Sequence, residues 1–160
     1  MKNPFLLAAA ALIGVASLAG AARAATPIEF HGSLCVPATP ADASKLTYTQ
    51  FGVHNTASTA ANVVCPITIN GVTSAQFSIT AYDRSTISDV VCSVFGTGSD
   101  GNITLSASLS TNSSAGPPFT RTTGFFSLAA SKTAHLQCAI PAFQSGSGFS
   151  HLTSYRLMPP

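Results

Sequence analysis

Thr133-Ala134-His135-Leu136-Gln137-Cys138-Ala139-Ile140 puts Ala134, Leu136, Cys138 and Ile140 on one parity and Thr133, His135 and Gln137 on the other. A period of two belongs to a strand with one buried face, whereas a helix repeats its apolar positions every three to four residues. Ile103, Leu105, Ala107 and Leu109 alternate in the same way with Thr104, Ser106, Ser108 and Ser110. Val63, Cys65, Ile67 and Ile69 alternate with Asn62, Pro66, Thr68 and Asn70, with Val64 breaking the polar set. Further runs at 46–53, 75–82, 90–95, 125–128 and 150–157 read as strands, and 28–34 offers a first one. Between them sit Asn70-Gly71 and the stretches 96–102, 112–118 and 145–148, each with the Gly, Pro, Asn or Ser chemistry of turns. No segment beyond Ala25 makes a convincing amphipathic helix. Seven to nine short strands predict an all-β fold: a two-sheet antiparallel β-sandwich, immunoglobulin-like or of related topology.

The N-terminus reads as an export signal over residues 1–24. Lys2 supplies the positive charge, 5–18 is an uncharged and mostly apolar run, and Ala22-Arg23-Ala24 offers the small-x-small pattern of a signal-peptidase site. The apolar run is short of the roughly 20 residues a membrane-spanning helix needs. Ala21 follows Leu18-Ala19-Gly20 where a lipoprotein would carry cysteine, so no membrane anchor is expected after cleavage. Residues 25–160 are then one β-sandwich domain, secreted to the periplasm or the exterior. Lys2 and Arg23 lie in the leader, which leaves Lys45, Arg84, Arg121, Lys132 and Arg156 against five acids. With no net charge and no basic stripe, the domain has nothing to hold nucleic acid.

Cys35, Cys65, Cys92 and Cys138 form an even set in an exported chain, and the expectation is two disulfides. Three pairings are open. The sequence-local one, Cys35 with Cys65 and Cys92 with Cys138, closes loops of about 31 and 47 residues, each worth roughly 3 to 4 kcal/mol before strain is subtracted. Metal binding is disfavoured because the nearest two cysteines are 27 residues apart.

Catalytic signatures are missing. His31, His54, His135 and His151 with Asp42, Asp83, Asp89 and Asp100 offer the ingredients of a triad, but no G-x-S-x-G turn marks a nucleophile and no H-E-x-x-H marks zinc. His135 falls on the polar parity of its strand and reads as solvated. Gly96-Thr97-Gly98-Ser99-Asp100-Gly101 matches a dinucleotide fingerprint, yet an alternating strand follows it where a helix N-terminus is required. It reads as a hairpin loop, and Asp100 alone is too little for calcium. No cofactor, metal or catalytic residue is assigned, and the domain is expected to be a non-enzyme. A glycan-binding module remains a distant alternative: the chain has no Trp, and Phe119, Phe143 and Phe149 are the rings outside core-like positions.

Cys65-Pro66, Ala81-Tyr82-Asp83-Arg84-Ser85, Cys92, Cys138-Ala139-Ile140-Pro141 and Ser154-Tyr155-Arg156 together resemble a group of small exported bacterial all-β proteins without assigned function. Size and Ser/Thr-rich strands are more loosely similar to pilus or spore-coat subunits. That resemblance implies a fold and a compartment, and no activity. Asp83 and Arg156 each follow a tyrosine at a strand end, which suggests a structural ion pair joining an interior strand to the last one. Ile28, Phe30 and Leu34 share one parity, so the first segment is a strand that pairs within its own domain or completes a neighbour's sheet. Cys35 beside it favours the first. The expected role is non-enzymatic binding, adhesion or envelope structure, with a protein or glycan partner and a monomeric state favoured. A filament or coat subunit built by strand exchange is the alternative, and a secreted hydrolase is more distant.

Overall fold

The computed structural model describes residues 26–112, 118–129 and 131–160; the leader and its cleavage pattern lie outside them. The strands in chain order are β1 (Ile28–His31), β2 (Val36–Pro37), β3 (Leu46–Thr49), β4 (Gly52–Asn55), β5 (Ala61–Ile67), β6 (Ser74–Tyr82), β7 (Val91–Gly98), β8 (Ile103–Ser110), β9 (Phe119–Thr122), β10 (Phe126–Ser127), β11 (Ser131–Ile140) and β12 (His151–Met158). A 3₁₀ turn (Gly32–Leu34) follows β1, and one short helix, α1 (Pro40–Ala43), precedes β3.

Two antiparallel sheets form the expected sandwich. In the seven-stranded sheet β12 pairs with β6 along one edge and with β4 and β1 in tandem along the other, while β9 and β10 share the far edge of β6 and β3 lies beyond β4. The five-stranded sheet runs β2-β5-β11-β7-β8. Twelve strands appear among the described residues where seven to nine were expected, because edges are filled by short pieces laid end to end. The expected 46–53 run is two of them: Gly52, at φ 116°, lets the chain reverse after Thr49, so β3 folds back on β4. The segment β9 carried no alternation long enough to be read as a strand.

Parity decides the core. Phe77, Ile79, Ala81, Leu152, Tyr155 and Leu157 from one sheet meet Val63, Cys65, Val94, Leu136, Cys138 and Ile140 from the other, all essentially inaccessible. Each such aliphatic or aromatic side chain is worth about 1.5–3 kcal/mol of burial. Tyr155 bridges the layers, donating its hydroxyl to the Pro66 carbonyl at 2.9 Å while its ring stacks on Phe30 at 5.1 Å. Burial pushes its hydroxyl up to about 12. Both disulfides are sequence-local, Cys35–Cys65 and Cys92–Cys138, the second joining directly opposed residues of β7 and β11. Asn70-Gly71 makes the turn before β6, both residues at positive φ, and 99–102 closes the β7–β8 hairpin as expected of the glycine-rich stretch. There Asp100 accepts from the backbone and side-chain amides of Asn102.

Candidate functional site

Cys92 and Val94 point into the core, so Val91, Ser93 and Phe95 of the same strand must face out. Register carries that outer face across the five-stranded sheet in three rows. Asn62, Ala139, Val91 and Ser110 form one, with the Ser110 hydroxyl donating to the Asp89 carboxylate at its end; Val64, Gln137, Ser93 and Ser108 the next; Pro66, His135 and Phe95 the third. Asn62, Val91, Ser93, Phe95, Gln137 and Ala139 line an open groove of about 270 Å³. Phe95 stacks on His135, 5.4 Å between centroids, which holds both rings at one end of it. Ser93 and Ser108 hydroxyls meet at 3.0 Å. None of the three rows contains Lys, Arg, Asp or Glu. The groove therefore offers apolar surface, an amide at each of Asn62 and Gln137, and hydroxyls, all without formal charge.

The outer face of the other sheet carries a second arrangement. Tyr82, His151 and His54 are cross-strand partners on β6, β12 and β4. Their rings stack in file, Tyr82 on His151 at 4.5 Å and His151 on His54 at 4.5 Å. Arg84 lies over the Tyr82 ring, 5.6 Å from its centroid. Burial, then the neighbouring charges of His54 and Arg84, push His151 down to about 4. Burial also lowers His54. Both imidazoles are thus neutral at neutral pH.

The residues singled out from sequence are mostly dispersed. Phe119 is half-buried at the end of β9 under Arg121, whereas Phe143 and Phe149 pack on each other at 4.8 Å in the loop before β12. They form no common platform. His31 binds Ser33 and the Gln50 carbonyl. Asp42 ties α1 to β5 and pairs with Lys45 at 3.5 Å.

The proposed Asp83–Arg156 pair is not formed. In the β6–β12 register Arg156 lies opposite Ser78 while His151 lies opposite Tyr82, so the two charges sit at opposite ends of the ladder, about 17 Å apart at ~3.4 Å per residue. Asp83 is fully buried and satisfied by neutral donors: the Ser85 and Val90 amides and the Thr111 and Ser150 hydroxyls. Arg156 instead has Glu29 of β1 as its other cross-strand neighbour. Phe95 and Gln137 were missed as site residues. The parity of Cys92 was the available signal for Phe95, because a ring three residues beyond a buried cysteine must face away from it.

No protein-family model matches the chain, and no curated protein matches it. Solved structures do share its shape. A xylan-binding module of the CBM15 type superposes with a TM-score of 0.54 at 15% identity, over 84% of this chain and 96% of that one. The C-terminal CBM6 of LamC, a marine laminarinase from Zobellia galactanivorans, gives a TM-score of 0.54 at 11% identity over 83% and 99%. A family 6 carbohydrate-binding module gives 0.54 at 15% identity over 83% and 94%. At such identities the likeness is one of fold, that of β-sandwich carbohydrate-binding modules.

Proposed function

We propose that the domain is a non-catalytic glycan-binding module, exported to an oxidising compartment, that takes a neutral polysaccharide along the outer groove of the five-stranded sheet. One observation carries the reading: the groove combines Phe95, Val91 and Ala139 with Asn62, Gln137 and Ser93 and contains no charge. A pyranose presents C–H patches, which favour apolar contact, and hydroxyls, which need amide and hydroxyl partners. An uncharged ligand gives nothing for a salt bridge to recognise. The fold shared with xylan-binding and family 6 modules, and the two disulfides, are consistent with it.

Affinity electrophoresis through gels containing xylan, laminarin, mannan, alginate or pectate tests this directly. Retardation by at least one neutral polysaccharide is expected, with loss in Gln137→Ala and Phe95→Ala and no change in Phe149→Ala. Retardation only by the anionic polymers, or binding indifferent to both groove variants, would overturn it.

A further inference from the structure

The β3–β4 hairpin is held to β12 by a short seam. β4 meets β12 through His54 opposite His151 and Val53 opposite Leu152, whereas β6 runs beside the same strand from His151 to Met158. β3 is the terminal strand of the sheet on that side. Val53 and Leu152 point into the core, and the two histidines stack on the outer face, 4.5 Å between centroids and 16° from parallel. Neutral imidazoles pack well in this way, but two imidazolium rings would set like charges face to face. Arg84, 5.6 Å from the centre of the Tyr82 ring that stacks on His151, adds a fixed positive charge to the same file. No acid offsets it: among the described residues neither imidazole has a carboxylate within ion-pair distance. Thr47 and Thr49 face His54 from β3, the Thr49 hydroxyl 2.7 Å from its Nε2, and the loop before β12 brings the Phe149 carbonyl to 3.5 Å from His151 Nδ1. Asp83 is buried and engaged by amides and hydroxyls, Lys45 pairs with Asp42, and Arg156 and Glu29 are cross-strand neighbours further along β12. His31 reaches the Gln50 carbonyl at the hairpin tip.

We propose that the β4–β12 seam is an acid-opened latch: protonation of the stacked His54–His151 pair lifts the β3–β4 hairpin off β12 while the rest of the sandwich stays folded. In the closed seam, burial and then the charges of His54 and Arg84 disfavour the charged form of His151, whose value falls from 6.5 to about 4, and burial lowers His54 as well. In the lifted hairpin the rings are hydrated and take up protons at their ordinary value. The open form therefore binds more protons, so acid favours it: opening grows as pH falls below about 6.5 and levels off below the closed-seam value. The opening is local because the seam is short and terminal, and because the hairpin is anchored at its base. There the Asn55 side chain donates to the Ile140 and Pro141 carbonyls, which makes that end the hinge.

Hydrogen exchange read by mass spectrometry, with disulfides intact and rates corrected for the intrinsic effect of pH, tests the latch. Between about pH 7 and about pH 4.5, protection of the 46–55 segment should fall by about tenfold or more, while that of 61–67 and 131–140 holds. The double variant His54→Phe/His151→Phe keeps two rings in the stack and removes their titration, so its 46–55 segment should be equally protected at both pH values. Arg84→Gln removes the fixed charge without touching the seam and should lessen the acid effect, whereas His31→Gln should leave it in place. Nuclear magnetic resonance titration of the wild-type imidazoles gives a readout that needs no variant: His151 should titrate well below 6.5. Equal protection of 46–55 at both pH values in wild type would overturn the proposal, as would an undiminished acid effect in the double variant or its loss in His31→Gln. A loss of protection spread evenly over both sheets would show acid unfolding of the whole domain and end it too. None of these outcomes touches the glycan reading, which rests on the other sheet.

Discussion

Asn55 shows how much a single polar side chain can decide in this fold. It is fully buried at the end of β4, and its Nδ2 donates toward the carbonyls of Thr59, Ile140 and Pro141 while its Oδ1 accepts from the Ala57 amide. The side chain thereby ties the seven-stranded sheet to the end of β11. Removing it strands buried carbonyls, each worth about 1–3 kcal/mol. Asn55→Asp should be worse than Asn55→Ala, because a carboxylate turns oxygens toward three carbonyl oxygens and cannot donate; urea-melt midpoints in that order check the claim. Asp42 governs acid stability in the other direction. The Thr39 hydroxyl, donating at 2.6 Å, then the Asn62 amide and Lys45 hold its carboxyl below its usual value against the opposing effect of burial. A carboxyl depressed in the folded state contributes stability that is complete above its unfolded pKa of ~3.9 and disappears as pH falls through the folded value. Wild type should therefore melt above Asp42→Asn at neutral pH, with the gap closing below about pH 4. A gap that stayed constant to pH 2 would show that the charge of Asp42 does not matter.

At the scale of elements, the tandem edge of β12 depends on two glycines. A Cβ built on Gly32 would lie 2.1 Å from the Leu152 carbonyl oxygen, and one on Gly52 2.0 Å from the same atom. Gly52 also sits at φ 116°. No flexible side chain can yield at either position, since the obstructing atom is backbone. Gly32→Ala and Gly52→Ala should each lower the melting temperature by several degrees or prevent folding, with Gly52 the worse because its dihedral adds strain. By contrast Gly71→Ala, with nothing within 4 Å, meets only the dihedral penalty. This edge also explains what could be read from the sequence. The strands β5, β6, β11 and β12 were legible because each is seven residues or longer and alternates against a fully packed core. Among the short pieces, β1 and β10 fall inside the 28–34 and 125–128 runs read as strands, and β3 with the start of β4 inside the single 46–53 run, whereas β9 was not read and owes its identity as a strand to its pairing with β6. Deleting residues 26–31 tests whether the pairing of β1 with β12 is internal. It should bare the β12 edge and the Tyr155 ring face and lower the melting temperature of a monomer. Linear polymers in the full-length protein that vanish on deletion would instead make this strand a donated one.

For the whole molecule, the candidate groove was illegible for a reason of topology. Phe95, Gln137 and Asn62 come from three strands whose order in the sheet, β5-β11-β7, differs from their order in the chain. Alternation told which residues face out and could not tell which outward residues are neighbours. The disulfides were the long-range contacts the sequence did announce, and both end in this same sheet: Cys65 lies on β5, Cys92 on β7 and Cys138 on β11. Their loops, of sequence separation 30 and 46, are each worth about 3 to 4 kcal/mol of unfolded-state entropy. Together they match a large part of the roughly 5–15 kcal/mol by which a domain of this kind is stable. Reduction should therefore abolish the folded state and polysaccharide binding together. The two bridges should separate when removed singly. Cys92→Ala/Cys138→Ala opens the bridge between the two central strands under the groove, so it should cost both stability and affinity. Cys35→Ala/Cys65→Ala frees only the segment leading to β2, so the variant should melt lower in urea yet still be retarded by the same polysaccharide below its transition. A reduced wild type with an unchanged urea midpoint would contradict the entropic account. Equal loss of binding in both double variants, at a urea concentration where both remain folded, would contradict the placement of the site on β7 and β11.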